Sequence, residues 1–409
     1  MIHKIYFKNN VKFDLTYSDG TNNVGRWVFK PYKYILLIGE NGSGKTHFLE
    51  QIVSIAKGQN KNVASVETNV SLYPKPGYPY MQTTAQCFKG LIVDFIEAIT
   101  TFSANVTAKN KGINELTKIK EKLTLLWDED RYFSDHPEEN TTKINNFKNI
   151  NKLLRSLLDD QEMVTLSPLI NKDRKSYTFY IDTKHKQNLD ALSGGQQKAL
   201  FYAINMHLFL KTQNYILLID EPENNWHPNL QLKFIDQFEI NDSDKKQLIV
   251  ATHSPFIVNS FLNKKREDTL IINFYKDKDG SFKHDYIQGD NCMLPFISLG
   301  EINYIAYKLY SIDFHIQLFG YLQQIYCEKE DEKYRYLNNF NEKLLSLIPN
   351  KPELIKTDPW PEAHNVALPI YIRNCIDHPE NKDRTQYTYN ELVTSTLLLI
   401  ELINEAKKS

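Results

Sequence analysis

Charge of one sign is what this chain most lacks: 49 Lys and Arg stand against 50 Asp and Glu, a formal net charge of −1. No global field therefore draws it onto nucleic acid or an anionic membrane, and only a local basic patch could do so. Cysteine is scarce as well. Cys87, Cys292, Cys327 and Cys375 are scattered with no CxxC pair, which excludes a disulfide scaffold or a zinc ribbon and predicts reduced thiols. Long apolar runs are missing too. Nothing approaches the roughly 18 residues of a spanning helix, and the richest run, Leu397 to Ile403, contains Glu401. Met1 to Asn10 has no signal-peptide core. A cytoplasmic protein with no membrane contact is the expectation. Repeats and low-complexity tracts are also absent. What is present is a length of 409 residues with 41% hydrophobic and 24% charged residues, enough for a core and about two domains.

Along the chain, residues 1–38 alternate apolar and polar positions around a turn at Asp19-Gly20 and predict a hairpin or meander. Tyr34 to Ile38, Tyr215 to Ile219 and Leu248 to Ala251 are continuous apolar runs of strand length, as in a parallel sheet buried on both faces. A helix carrying Leu230, Phe234, Ile235 and Phe238 lies between the last two. From about 84 to 162 the texture reads as helical, with apolar faces at Ile113, Leu116, Ile119, Leu123 and Leu126, then at Ile144, Phe147, Ile150, Leu154 and Leu157. Residues 164–181 read as strands and Ile271 to Tyr286 as a closing hairpin. Beyond about residue 295 the chain is helical. These patterns predict an α/β head over 1–290 with a mostly parallel sheet and a helical insertion at about 84–162, then an all-helical domain over 291–409.

Gly39-Glu40-Asn41-Gly42-Ser43-Gly44-Lys45-Thr46 fits the P-loop pattern, with a buried strand before it and a helix after it. The glycines let successive amides face phosphate oxygens, and the helix N-terminus adds partial positive charge. Lys45 is then expected on the β- and γ-phosphates of ATP, and Thr46 on Mg²⁺. Asp220 and Glu221 end the second apolar strand. Paired carboxylates there are costly unless a metal or substrate uses them, so Asp220 is assigned to Mg²⁺ and Glu221 to the attacking water.

Leu192-Ser193-Gly194-Gly195-Gln196-Gln197 resembles the signature of ABC-type ATPases, and it stands one helix upstream of the Asp220 strand, as in that family. The resemblance implies that Ser193, Gly194, Gly195 and Gln196 face the γ-phosphate held by a second copy, with ATP sandwiched between two heads. His253, in Ala251-Thr-His-Ser-Pro255, matches the family's switch histidine on the γ-phosphate. Gln82 is the choice for the Q-loop glutamine on the metal, with Gln86 the alternative; no aromatic stands out as the adenine platform. Asp220-Glu-Pro-Glu-Asn-Asn-Trp-His-Pro228 resembles the SMC-like and OLD-like branch, which acts in DNA maintenance and anti-phage defence rather than transport.

The C-terminal stretches Ser298 to Tyr304, Phe314-His315, Leu318 to Tyr321 and Ile372 to Asn381 look similar to the ATPase component of Septu-type systems and of the retrons that carry it. That likeness implies control of a separately encoded nuclease, often of HNH type, and for retrons a reverse transcriptase with its RNA–DNA complex. Two other readings stay open. Arg373-Asn374 followed by His378 has the form of a HEPN ribonuclease, with arginine on the phosphate and histidine moving a proton. Alternatively, Arg373, Asp377 and His378 form a buried polar cluster docked near Glu301 and His315; metal binding by His364 and His378 is a lesser possibility. Thr388 and Glu391 predict a capping box for a helix over 392–406. A DNA-repair clamp is a third class of function, for which Lys118, Lys120, Lys122, Lys184 and Lys186 would supply the basic groove.

Overall fold

The structure, a computed structural model, describes residues 2–7, 12–21, 27–56, 63–68, 92–96, 109–137, 145–158, 165–170, 177–182, 186–192, 194–211, 215–224, 228–240, 246–287, 292–360 and 362–408. The chain divides into two compact units, Met1–Phe282 and Lys283–Ser409.

In the first unit, β1 (Ile2–Phe7) and β2 (Lys12–Asp14) pair antiparallel, and β3 (Thr16–Thr21) pairs with β4 (Trp27–Pro31). Next come β5 (Tyr34–Gly39) and α1 (Lys45–Ala56), which follows the P-loop directly. β6 (Val63–Thr68) returns to pair with β1.

β7 (Ile92–Ile96) corrects the expectation of an uninterrupted helical insertion over 84–162. Its β-branched and aromatic residues form a strand parallel to residues Tyr215 to Ile219. Asp94 breaks its apolar run, so the pattern lacks the continuity of the other buried strands. The helices of the insertion begin later, with α2 (Lys109–Asp135) and α3 (Asn146–Leu158). They bury the predicted positions Ile119, Leu123, Leu126, Phe147, Ile150, Leu154 and Leu157. An antiparallel sheet follows, of β8 (Thr165–Ile170), β9 (Tyr177–Asp182) and β10 (Lys186–Asn188).

After the signature comes α4 (Gly194–Lys211), then β11 (Tyr215–Asp220), the short α5 (Pro228–Lys233), β12 (Gln247–Ala251) and α6 (Pro255–Lys265). Then come β13 (Thr269–Lys276) and, as the first unit ends, β14 (Phe282–Ile287). Within the first unit the central strands run in the order β13, β5, β12, β11, β7, all parallel. Every residue of β5, β11 and β12 is buried, as their unbroken apolar runs require when both faces are covered. Parallel strands of an open α/β sheet deliver their following turns to one edge, the usual place for a ligand. The P-loop and the turns after Asp220 and Ala251 all lie there.

The second unit corrects the expectation of an all-helical domain over 291–409: it holds one hairpin, whose strands of four residues each are too short to show a period in the sequence. α7 (Leu299–Tyr307), α8 (Ile312–Lys329) and α9 (Leu337–Leu347) precede β15 (Ile355–Asp358) and β16 (His364–Ala367), an antiparallel pair. α10 (Leu368–Asp377) and α11 (Tyr389–Lys408) complete it. Phe314, Leu318, Leu322, Phe340, Leu344, Ile372, Leu399 and Ile403 form its core. Ser298 and Ser311 cap α7 and α8 by accepting from the amides of Glu301 and Phe314. Thr388 and Glu391 make a reciprocal capping box: the Thr388 amide donates to Glu391 Oε2 at 2.8 Å, and the Glu391 amide donates to Thr388 Oγ1 at 3.3 Å. No helix among the described residues is long and apolar enough to cross a membrane. Cys292, Cys327 and Cys375 form no disulfide among the described residues.

Candidate nucleotide site

The P-loop owes its shape to glycines at three positive-φ positions, Gly39, Gly42 and Gly44. Gly39 is the most constrained, because a Cβ there would meet the Phe274 carbonyl oxygen at 2.0 Å. Neighbouring β13 therefore passes too close for any side chain. Inside the loop, Ser43 is 2% exposed and its hydroxyl has no hydrogen-bond partner among the described residues. Lys45 is also buried and folds back to donate to the carbonyls of Gly39 at 2.9 Å and Glu40 at 3.0 Å. Burial pushes its ammonium down to about 8, against the pull of Glu221, Asp220 and Glu223.

Asp220 ends β11 with a buried carboxylate. Burial raises its pKa to about 6, with Glu221 and Glu223 adding to the rise and a hydrogen bond from Thr46 and the charge of Lys45 opposing it. Its Oδ1 has no hydrogen-bond partner among the described residues. A buried carboxylate oxygen left without a donor is expensive, and Thr46 already touches the same carboxylate. A hydroxyl and a carboxylate with an open oxygen are hard-oxygen donors suited to Mg²⁺, so these residues fit the cation.

Glu221 has φ 45°, the left-handed region, and Pro222 after it disfavours the right-handed helical alternative. The turn is secured by the Glu221 amide donating to the Ala251 carbonyl at 2.8 Å and by Asn224 Nδ2 donating to Glu221 Oε2 at 2.7 Å. Strain of this kind in a non-glycine residue collects at functional sites. His253 Nε2 lies 3.5 Å from Glu221 Oε1. Burial and the Lys45 charge lower the imidazole's pKa, outweighing Glu221 and a bond to the Gly39 backbone. A lowered pKa favours the neutral ring, which can still make a polar contact with Glu221.

Two residues that sequence reasoning missed complete the arrangement. Glu223 Oε2 accepts from the Thr252 hydroxyl at 2.7 Å, and its Oε1 accepts from the His253 amide at 2.6 Å. Asn224 holds Glu221 as described. Their signal in the sequence was the polar Glu-Asn pair directly after Glu221-Pro222, inside the Asp220 to Pro228 motif.

Gly39 to Thr46, Asp220, Glu221 and His253 thus meet at one sheet edge. Gly194 and Gly195 open α4, and Gln196 is half-buried on it. Ser193, Gln82 and Gln86 lie outside the described residues. Lys122, a candidate for a basic groove, donates to Asn205 at 3.0 Å.

In the second unit, Arg373 pairs with Asp377 at 2.6 Å and donates to Asn374 Oδ1 at 3.2 Å, while His378 faces Glu380 at 3.3 Å. Arg373, Asp377 and His378 are all partly exposed, which corrects the expectation that they form a buried cluster. Glu301 instead accepts from the amides of Met293 and Leu294, and His315 bonds Ser395 at 2.8 Å. The buried polar cluster is built from Asp358, Arg384 and Asn374. Arg384 donates to both Asp358 oxygens, at 2.9 and 3.0 Å, and Asn374 Nδ2 donates to Asp358 at 3.0 Å.

A protein-family profile described as "AAA domain, putative AbiEii toxin, Type IV TA system" matches residues 100–259, less than half of the chain. No curated protein matches the chain. Solved structures similar to it include an SMC head bound to the C-winged helix domain of ScpA, with 15% identity over 70% of this chain and 98% of that one and a TM-score of 0.46. Another is the Smc head domain with an extended coiled coil bound to the C-terminal domain of ScpA from Pyrococcus furiosus, at 13% identity over 71% and 96% and a TM-score of 0.40. A third is the SMC head domain from Thermotoga maritima, at 12% identity over 70% and 99% and a TM-score of 0.35.

Proposed function

We propose that this chain is an ATP-hydrolysing head that completes its nucleotide site with a second copy of itself and, through that pairing, controls a nuclease partner in anti-phage defence. The hydrolytic part rests on one observation: Lys45, Thr46, Asp220, Glu221 and His253 converge at the carboxyl ends of three neighbouring parallel strands. Lys45 is held on two carbonyls by bonds that a polyphosphate can replace, and negative charge beside it offsets the burial that lowers its pKa. Asp220 and Thr46 would hold Mg²⁺, which neutralises charge building on the phosphate oxygens. Glu221, held by Asn224 and facing His253, orients the attacking water and draws on its proton. His253, bonded to the Gly39 backbone and facing Glu221, would contact the γ-phosphate.

The test is a pair of variants. Glu221→Gln should keep ATP affinity and lower turnover by about 10²-fold or more. Lys45→Ala should lose binding itself. Wild-type turnover in Glu221→Gln would sink the assigned base.

The defence role is supported by the C-terminal likeness to Septu-type ATPases and by the toxin named in the matching family profile. A separately encoded HNH nuclease is the favoured partner, and a retron reverse transcriptase with its RNA–DNA complex is the other. A ribonuclease built on Arg373 and His378 is less favoured, because each side chain is engaged by its own carboxylate. RNA cleavage by the purified chain that disappears in both Arg373→Ala and His378→Ala would reverse that order.

A further inference from the structure

We infer that Glu223 is a positioning residue that holds His253 against Glu221 by bridging the ends of two neighbouring strands. The inference rests on the hydrolytic reading of the site but concerns a residue to which that reading gives no role. Glu223 stands in the turn after β11, and Thr252 and His253 stand in the turn after β12. One carboxylate oxygen takes the Thr252 hydroxyl at 2.7 Å and the other takes the His253 amide at 2.6 Å.

Both turns need such a tie. β12 stops at Ala251 and α6 starts at Pro255, so residues 252–254 belong to neither element. The Thr252 amide donates to the Leu37 carbonyl at 3.0 Å and the Ser254 amide to Thr252 Oγ1 at 2.9 Å. The His253 amide donates to Glu223 instead of continuing the sheet. The imidazole is carried by that same backbone unit, so the bond fixes where the ring stands relative to Glu221 Oε1, 3.5 Å away. Two short bonds from one side chain to successive residues of the turn suit a strut that must not slip. A misplacement of about 1 Å at a reacting centre costs on the order of 10²-fold in rate.

The experiment compares Glu223→Ala, Glu223→Gln and the Glu223→Ala/His253→Ala double variant, reading ATP affinity and kcat separately. Glu223→Ala should lower kcat about 10- to 100-fold while ATP affinity changes by less than about threefold. Glu223→Gln should restore most of that loss, because its amide oxygen can take the His253 amide while the Thr252 hydroxyl turns to accept from its NH₂. With His253 already removed, losing Glu223 should lower kcat by no more than about twofold, since the two act as one unit. The inference is overturned if Glu223→Gln is as slow as Glu223→Ala, which would make charge the cause. It is equally overturned if the full loss persists without His253, or if ATP binding falls to the level of Lys45→Ala. Should Glu223→Ala not fold, Glu223→Asp keeps the charge and shortens the reach; wild-type kcat there would overturn the inference. A chain that hydrolyses no ATP would refute the hydrolytic reading, and the strut is then read without turnover. With ¹³C-labelled histidine, the ring signal of His253, assigned by its loss in His253→Ala, should move in Glu223→Ala and return in Glu223→Gln. An unmoved signal overturns the strut.

Discussion

Asp358 and Arg384 form the most enclosed ion pair among the described residues, with side chains 0% and 1% exposed. Burial alone would raise the Asp358 pKa, but hydrogen bonds from Asn374 and Arg384 outweigh it and hold the carboxyl below its ordinary value. Removing one partner leaves the other charge buried and uncompensated. Asp358→Ala should therefore destabilise the second unit by roughly 3–5 kcal/mol, seen as a lower denaturant midpoint, whereas replacing both residues with apolar ones of similar volume should cost far less. Neither residue stood out in the sequence. A lone Asp and a lone Arg 26 positions apart carry no spacing signal, and their meeting depends on how β15 and the loop after α10 pack. The P-loop residues were legible for the opposite reason: Gly39, Gly42 and Gly44 write their backbone requirement into eight consecutive positions. Glu223 lies between the two cases, inside a readable motif but with a role that depends on β12.

At the scale of elements, the signature helix α4 is tied to the insertion through a buried polar clasp. His207 on α4 bonds Asn146 Oδ1 at 2.8 Å, and Asn146 in turn donates to the Leu126 carbonyl and Glu129 on α2, each at 3.0 Å. Burial and the nearby Lys211 lower the His207 pKa to about 4. The folded state therefore binds its proton less readily than the unfolded chain, whose pKa is about 6.5. The clasp's contribution is complete above that value and is lost as pH falls toward the folded pKa, by about 2 kcal/mol at pH 5. Denaturant unfolding of the intact chain at pH 7 and pH 5 should show the drop, and His207→Gln, which can still donate to Asn146, should reduce it. His315 in the second unit, likewise lowered to about 4 by burial, adds a separate loss over the same range, so the slope should shrink without vanishing. The amphipathic faces of α2 and α3 were readable from their period. β7 was not, because five residues interrupted by Asp94 give neither a helical period nor an unbroken apolar run.

For the molecule as a whole, the three apolar runs fixed in advance that the P-loop, Asp220 and His253 would share one sheet edge, because parallel strands deliver their turns to the same end. That edge gathers donors for phosphate and metal from one chain, yet the signature opens a different helix, and the proposal assigns it to the ATP of a second copy. The consequence is testable by complementation. Lys45→Ala disables the P-loop and Ser193→Arg the signature, so each variant alone should be inactive. A mixed dimer has one site with both parts damaged and one with both intact. Random pairing of equal amounts should then recover about a quarter of wild-type turnover, since about half of the dimers are mixed and each carries one working site. Recovery at that level, appearing only on mixing and rising with protein concentration, is the expected result. If Ser193→Arg alone keeps full turnover, the nucleotide site is complete within one chain. If each variant is dead and mixing restores nothing, the two damaged parts do not act across a shared interface.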